Sequence, residues 1–326
     1  MGSSPPLDGL PAEPHIAILG SDGLVGSTLL ELLQQRAFPA GRITAVPFSE
    51  LGRTAASALS RVNEMADGVD LAFLALRPEQ SRAVATPLLA LGAWVLDFSD
   101  AFRLDSEVPL AVLGLEGSQG DRAHRLLALP NCTNPALFPV LQALHAAGDG
   151  LNRVRVHTAQ AASGGGRRLL ASLEASTAEE NADALLGNIW PQIGSLDAHG
   201  RSAEEAAIVE EAKRSLQLPD LDIAASCLRV PVAVGHGMTV EVQTTKALSP
   251  HQANEALAGV PDLVLHAEEP PMPSTLEDRD AAHVGRIRLV DGQRPQSGLM
   301  LWLVADNLYQ GAATHALRLA ETLIAD

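Results

Sequence analysis

Cysteine is nearly absent from this chain of 326 residues, which carries two, Cys132 and Cys227. So low a number excludes a disulfide framework and points to a reducing compartment. Lysine is as scarce, at Lys213 and Lys246 alone, and 23 Lys and Arg against 39 Asp and Glu leave a formal net charge of −16. An acidic surface repels phosphate backbones, so nucleic acid is not an expected partner, although arginines and helix N-termini can still hold small anions. No apolar run reaches the length of a bilayer span, so no membrane is expected either. The opening "MGSSPPLDGLPAE" has neither a basic n-region nor an apolar core. Residues 1–13 therefore read as a disordered tail without a signal peptide, and a cytoplasmic location is expected. Internal repeats and low-complexity blocks are also lacking, and no metal-ligand set is expected.

What remains is an ordinary globular balance, 46% hydrophobic and 19% charged, in a chain long enough for two domains. From His15 the text "HIAILGSDGLVGSTLLELLQQ" reads as a short apolar strand, a glycine-punctuated turn and a helix with Leu29, Leu30, Leu32 and Leu33 on its apolar side. Strand-like runs follow in "RITAVPF", "VDLAFLAL" and "AWVLDFS", with the helical stretch "PEQSRAVATPLLALG" before the last. Continuous apolar strands alternating with helices predict a parallel sheet covered on both faces. Beyond Cys132 the texture changes. "NRVRVHTAQ" and "HGMTVEVQTTKA" alternate apolar with polar residues, as half-buried antiparallel strands do, around the helix candidate "SAEEAAIVEEAKRSLQ". The chain closes with a strand, "LMLWLVADN", and a helix, "LYQGAATHALRLAETLIAD".

Gly20, Gly23 and Gly26 form G-x-x-G-x-x-G between the first strand and its helix. Glycine permits a tight turn and close approach to a pyrophosphate, while free helix N–H groups meet its charge. The spacing is not G-x-G-x-x-G, and a plain strand-to-helix turn explains it equally well on motif grounds. Asp22 inside the turn is unexpected, because a carboxylate there faces phosphate unfavourably. Cys132, in "LALPNCTNPAL", sits between a proline-closed apolar run and a helix start. By burial habit it is a small hydrophobe; at a helix N-terminus it is a thiolate nucleophile.

Five stretches, in order, resemble aspartate-semialdehyde dehydrogenases: "DFSDAFRLDSEVPL", "PNCTNPAL", "TAQAASGGG", "CLRVPVAVGH" and "LWLVADNLYQGAA". The resemblance spans nearly the whole chain. It implies a Rossmann-type α/β domain, 14–132 plus 307–326, completed by the C-terminal helix. An inserted α+β domain, 133–306, is implied to carry substrate residues and a homodimer contact. The implied chemistry is reversible NADP-dependent reduction of L-aspartyl 4-phosphate to L-aspartate 4-semialdehyde, a precursor of lysine, threonine and methionine. Cys132 is the implied nucleophile, because a thiolate displaces phosphate and the resulting thioester accepts hydride. His236 is the implied acid/base, and Gln160 positions substrate beside the sulfur. Arg229 is implied to fork onto the substrate carboxylate, Glu204 to face its ammonium, and Arg103 to bind phosphate. Gly20, Asp22, Gly23, Leu24, Val25, Gly26, Ser163, Gly164 and Asn307 are the implied cofactor contacts. Cys227 reads as buried core ahead of a strand-like run.

The chain departs from the family around phosphate and cofactor. A Ser-x-Arg-Ser stretch usually follows the second strand and holds the 2′-phosphate of NADP; here stands "AVPFSELGRT", with Glu50 near the arginine's place. A carboxylate repels a 2′-phosphate, so the expectation is a weak or reversed preference for NADP over NAD. The next cofactor loop, usually rich in Gly and Ser, reads "LALRPEQS", and Ala207 replaces a phosphate-binding lysine. Phe98 replaces an Asn, and Tyr309 with Gln310 replaces a basic pair. Two further readings stay open: a non-catalytic paralogue that keeps the fold for binding or regulation, and an N-acetylglutamyl-phosphate reductase-like enzyme.

Overall fold

Short apolar segments and helices alternate from His15 onward in the computed structural model, which describes residues 9–65, 67–115, 124–173 and 185–324. The chain divides into two units, Met1–Asn131 with Ala312–Asp326, and Cys132–Gly311. Cys132 and Asn307, expected at the edges of the first domain, thus fall in the second unit.

The first unit runs β1 (His15–Leu19), α1 (Leu24–Gln35), β2 (Arg42–Val46), α2 (Phe48–Leu51), α3 (Ala55–Met65), β3 (Leu71–Leu74), α4 (Pro78–Ala90), β4 (Trp94–Asp97) and β5 (Leu126–Ala128). Its five-stranded sheet has the order β2-β1-β3-β4-β5, and all neighbours are parallel. Ala17, Ala72 and Val95 stand side by side on one face and share a core with Ala58, Val62, Val84 and Leu88 from α3 and α4. Ile16, Leu71 and Trp94 alternate onto the opposite face and are buried too. Burial on both faces is why these strands read as unbroken apolar runs, and each fully buried side chain of this size contributes about 1.5–3 kcal/mol. The order reverses between β1 and β3, which places the ends of those two strands at the crevice where such sheets take ligands.

In α1, Leu29, Leu32 and Leu33 are buried, while Leu30 is half-buried. The helix packs against the chain's last helix, Thr314–Leu323. Of the segment expected to be a disordered tail, residues 1–8 lie outside the described residues. Leu10 is buried, and its N–H donates to the Leu323 carbonyl at 2.6 Å.

The second unit contains α5 (Asn134–Ala147), β6 (Leu151–Gln160), α6 (Arg167–Ala171), α7 (Ala203–Ser215), β7 (Asp222–Arg229), β8 (His236–Thr244), α8 (Pro250–Leu257), β9 (Leu263–His266), β10 (Ala282–Leu289) and β11 (Leu299–Ala305). A six-stranded mixed sheet has the order β7-β6-β8-β11-β10-β9. β6 is antiparallel to β8 but parallel to β7, so the expected all-antiparallel reading of this strand does not hold. Alternation reports one-sided burial and carries no information about a neighbour's direction. The closing helix, expected as one piece, is a π-type turn at Tyr309–Ala313 followed by α9 (Thr314–Leu323). Asp306 Oδ1 accepts the N–H groups of Leu308 and Tyr309 at 2.9 and 3.0 Å, fixing the turn's start.

Candidate active site

Three strand ends of the second unit meet in register. β6 ends at Gln160, paired directly with Arg229 at the end of β7, and β8 begins at His236, one residue before the Ala159–Gly237 pair. Cys132 precedes α5, whose N-cap is Thr133 and whose first turn holds Pro135, as proline's missing N–H permits. The Cys132 Sγ lies 3.4 Å from His236 Nε2. The positive end of α5 favours negative charge beside it.

His236 is 1% exposed, and its Nδ1 accepts the Ala161 N–H at 3.0 Å. Burial, reinforced by the Arg229 charge, pushes its pKa down to about 3. The ring is therefore neutral at physiological pH, with its proton on the nitrogen facing sulfur. Arg229 is itself buried, which lowers its basicity, while the Glu204 carboxylate and Cys132 oppose the shift. Its Nη1 donates to the Ala161 carbonyl at 2.8 Å and to Gln160 Oε1 at 3.4 Å. Its other N–H groups have no hydrogen-bond partner among the described residues, which leaves one edge of the fork for a carboxylate. Gln160 Nε2 donates to Glu204 Oε1 at 2.8 Å, so the amide bridges acid and guanidinium.

Glu204 lies in the first turn of α7, where Ser202 and Glu205 form a capping box. Glu205 Oε1 also accepts the Cys227 N–H at 3.1 Å, tying the helix to β7. Gly164 leaves the room that Arg229 uses: a Cβ there would stand 2.5 Å from Nη1 and 3.3 Å from His236 Nε2. Asn307 Oδ1 accepts from Ser163 Oγ at 2.9 Å and from the Gly235 N–H at 3.0 Å, holding two loops around His236. Cys132, His236, Gln160, Arg229, Glu204, Ser163, Gly164 and Asn307 thus all belong to one unit.

Sequence reading missed Glu211, which is buried and accepts Asn134 Nδ2 at 2.7 Å, bracing the start of α5 from α7. The available signal was spacing, since Glu211 falls in register with buried Ile208, Ala212 and Ser215. Cys227 lies within β7 rather than ahead of a strand, and burial pushes its thiol up to about 12. Ala207 sits half-buried on α7. Tyr309 lies under the Arg279 guanidinium at 3.7 Å, and Arg279 Nε pairs with Asp306 at 2.6 Å.

In the first unit Gly20 has φ +86°, and a Cβ would stand 2.3 Å from the Ala75 carbonyl beyond β3. A Cβ on Gly26 would stand 2.3 Å from the Gly20 carbonyl, so the turn closes only with glycine at both places. Gly23 caps α1, and Leu24 and Val25 open its first turn, which holds no acidic residue. Asp22, unexpected in such a turn, has a backbone partner: Oδ1 accepts the Phe48 N–H at 2.7 Å. Arg103 gives Nε to the Leu129 carbonyl at 2.8 Å and Nη2 to that of Phe98 at 2.7 Å, strapping together the segments after β5 and β4. Asp97, at the end of β4, accepts Ser81 and Ser99 hydroxyls at 2.6 Å each, and burial raises its carboxyl above the usual range.

A family model described as semialdehyde dehydrogenase, NAD binding domain, matches residues 15–123, and one described as semialdehyde dehydrogenase, dimerisation domain, matches 141–310. The chain is 33% identical to the aspartate-semialdehyde dehydrogenase of Corynebacterium melassecola, over 95% of this chain and 99% of that one. The chain belongs to the aspartate-semialdehyde dehydrogenase family. Its relative in Aquifex aeolicus is 30% identical over 95% of this chain and 98% of the other. The crystal structure of aspartate semialdehyde dehydrogenase II from Vibrio cholerae, complexed with ASA, matches with a TM-score of 0.86 at 28% identity, over 95% and 98% of the two chains. Family and fold class agree with the sequence reading. Among the described residues no helix is long and apolar enough to cross a membrane.

Proposed function

We propose that this member of the aspartate-semialdehyde dehydrogenase family is a working oxidoreductase. It converts L-aspartyl 4-phosphate to L-aspartate 4-semialdehyde, reversibly, through a thioester on Cys132. The observation that carries the reading is the 3.4 Å approach of Cys132 Sγ to His236 Nε2 beside a buried arginine with an open edge. In the reductive direction the sulfur attacks the acyl carbon as thiolate; the C–S bond forms, the C–O bond breaks, and phosphate leaves with that electron pair and takes up a proton from solvent. The His236 Nε2–H offers a donor to the thiolate and to the oxygen that gains charge on the attacked carbon. Bound NADPH would supply the hydride that reduces the thioester; the C–S bond then breaks, and the thiolate returns to the same donor.

The residues present fit such a cofactor. The Gly20–Gly26 turn feeds α1 with no acid in its first turn, and the Asp22 carboxylate is engaged by the Phe48 N–H. Ser163, Gly164 and Asn307 keep their cofactor-contact assignment, and Arg103 its phosphate assignment, as parts of this proposal. Because the second matched model is a dimerisation domain, a homodimer is proposed as well.

Glu204 favours the aspartyl substrate over an N-acetylated one, since a carboxylate bridged to Gln160 suits an ammonium and gains nothing from a neutral amide. The retained Cys132–His236 pair speaks against a purely binding paralogue. The test is phosphate-dependent NADP reduction by purified protein with L-aspartate 4-semialdehyde. Activity with this aldehyde, and much less with N-acetylglutamate semialdehyde, is expected; no turnover with either overturns the proposal.

A further inference from the structure

A cavity of about 450 Å³ opens in the first unit at the ends of β2 and β3, lined by Phe48, Ser49, Gly52, Arg53, Arg77 and Gln80. It adjoins the glycine turn. The Phe48 ring is among the neighbours that a Cβ on Gly20 or Gly23 would meet, at 3.1 and 3.2 Å, and the Phe48 N–H is held by Asp22. Gln80, 1% exposed, donates Nε2 to the Gly52 carbonyl at 3.0 Å and so fixes the loop after β2 against the start of α4.

Two cations face this space from different loops. Arg53 follows α2 and Arg77 precedes α4; both are exposed, and neither guanidinium has a carboxylate partner among the described residues. Glu50, which the sequence set against a 2′-phosphate, is not among the lining residues. Its Oε2 accepts Arg61 Nη2 at 2.9 Å and Nε at 3.1 Å, so α3 both neutralises and holds it. In sheets of this kind the loop after the second strand meets the adenosine ribose, where an acid selects a 2′-hydroxyl and an arginine a 2′-phosphate.

We propose that Arg53 and Arg77, with Ser49, form the 2′-phosphate site of this chain and make it select NADP. The pair takes over from the Ser-x-Arg-Ser stretch, and one of its two cations comes from the loop after β3. Two guanidiniums match the two negative charges of a phosphomonoester, and a serine hydroxyl adds a donor. The expectation of weak or reversed NADP preference, drawn from Glu50, is replaced by a clear preference. This inference rests on the dinucleotide reading of the first unit but not on turnover.

Equilibrium binding tests it without catalysis, by comparing adenosine 2′,5′-bisphosphate with adenosine 5′-monophosphate. The unsubstituted protein should favour the bisphosphate by roughly tenfold or more, the scale of one charge-assisted hydrogen bond. Arg53→Gln and Arg77→Gln should each erode that ratio, and the double substitution should bring it near unity with monophosphate binding retained. Glu50→Gln should leave the ratio unchanged. A ratio near one in the unsubstituted protein, or one that survives the double substitution, overturns the assignment. So does a large gain in bisphosphate affinity on Glu50→Gln. A protein that selects the bisphosphate yet turns over neither aldehyde would keep this inference and lose the proposed activity.

Discussion

The Ala161 N–H donates to His236 Nδ1 at 3.0 Å, and that one bond decides where the imidazole keeps its proton. With Nδ1 occupied as an acceptor, the neutral ring carries its hydrogen on Nε2, beside the Cys132 sulfur. Protonation of the ring would set an Nδ1–H against the Ala161 N–H. The geometry and the depressed basicity of His236 thus agree on a neutral ring whose Nε2–H faces the sulfur.

Stability should fall on mild acidification. His236 and His315 are held neutral by burial, with pKa values of about 3 and about 4 against the ordinary 6.5. The unfolded chain takes up these protons as pH drops below about 6.5, and the folded chain does not. Stability present above that pH is therefore lost toward pH 4, by about 1.4 kcal/mol per pH unit for each histidine. Denaturant titrations between pH 7 and pH 5 check this, and His236→Gln should remove about one proton from the slope. A slope the substitution leaves intact would show that other groups carry it.

Cys132→Ser should abolish acyl-enzyme formation without unfolding the protein, because the side chain is only partly buried and a hydroxyl replaces a thiol of similar shape. Mass spectrometry after incubation with an acyl-phosphate analogue reads the outcome directly. An adduct that persists in the variant would move the nucleophile elsewhere.

Arg229→Leu should weaken substrate far more than dinucleotide, since it removes a charge-assisted fork worth about 1.5–3 kcal/mol. It also strips Gln160 Oε1 and the Ala161 carbonyl of their donor, so some loss of stability accompanies it. Arg229→Lys keeps the charge and should restore only part of the affinity. Equal losses for both ligands would count against the carboxylate assignment.

Gly164→Ala places a methyl group 2.5 Å from Arg229 Nη1. The guanidinium is the end of a flexible side chain and gives way, at the expense of its bond to the Ala161 carbonyl, roughly 1 kcal/mol. Substrate KM should rise several-fold while the melting temperature changes little. An unchanged KM would show that Arg229 absorbs the shift without losing its grip on substrate.

Much of this was legible in the residue order. β1, β3 and β4 announced themselves because burial on both faces leaves no polar interruption in Ile16–Leu19, Leu71–Leu74 and Trp94–Leu96. Cys132, Gln160, Arg229 and His236 were legible by resemblance, and the structure gathers them in one unit. Illegible were the pairings that decide what a charge does. Nothing in "SDG" says that Asp22 bonds the Phe48 N–H, and nothing in "SELGRT" says that Glu50 lies against Arg61, eleven residues on. Such partners are set by how loops are laid over a sheet, which is tertiary information. β5, three residues long, is too short to show a period, and β9 is half-buried throughout.

Gln160, Arg229 and His236 come from three adjacent strand ends, aligned by ladder hydrogen bonds. The spacing of these three side chains is therefore stored in strand length, a quantity that substitutions leave untouched. Side chains along β6 and β7 can drift through many generations while the ends stay level. Insertion or deletion of a single residue within either strand would turn its terminal side chain to the opposite face of the sheet. Arg53 and Arg77 lie in the other unit, where a substitution leaves the spacing of Gln160, Arg229 and His236 as it is.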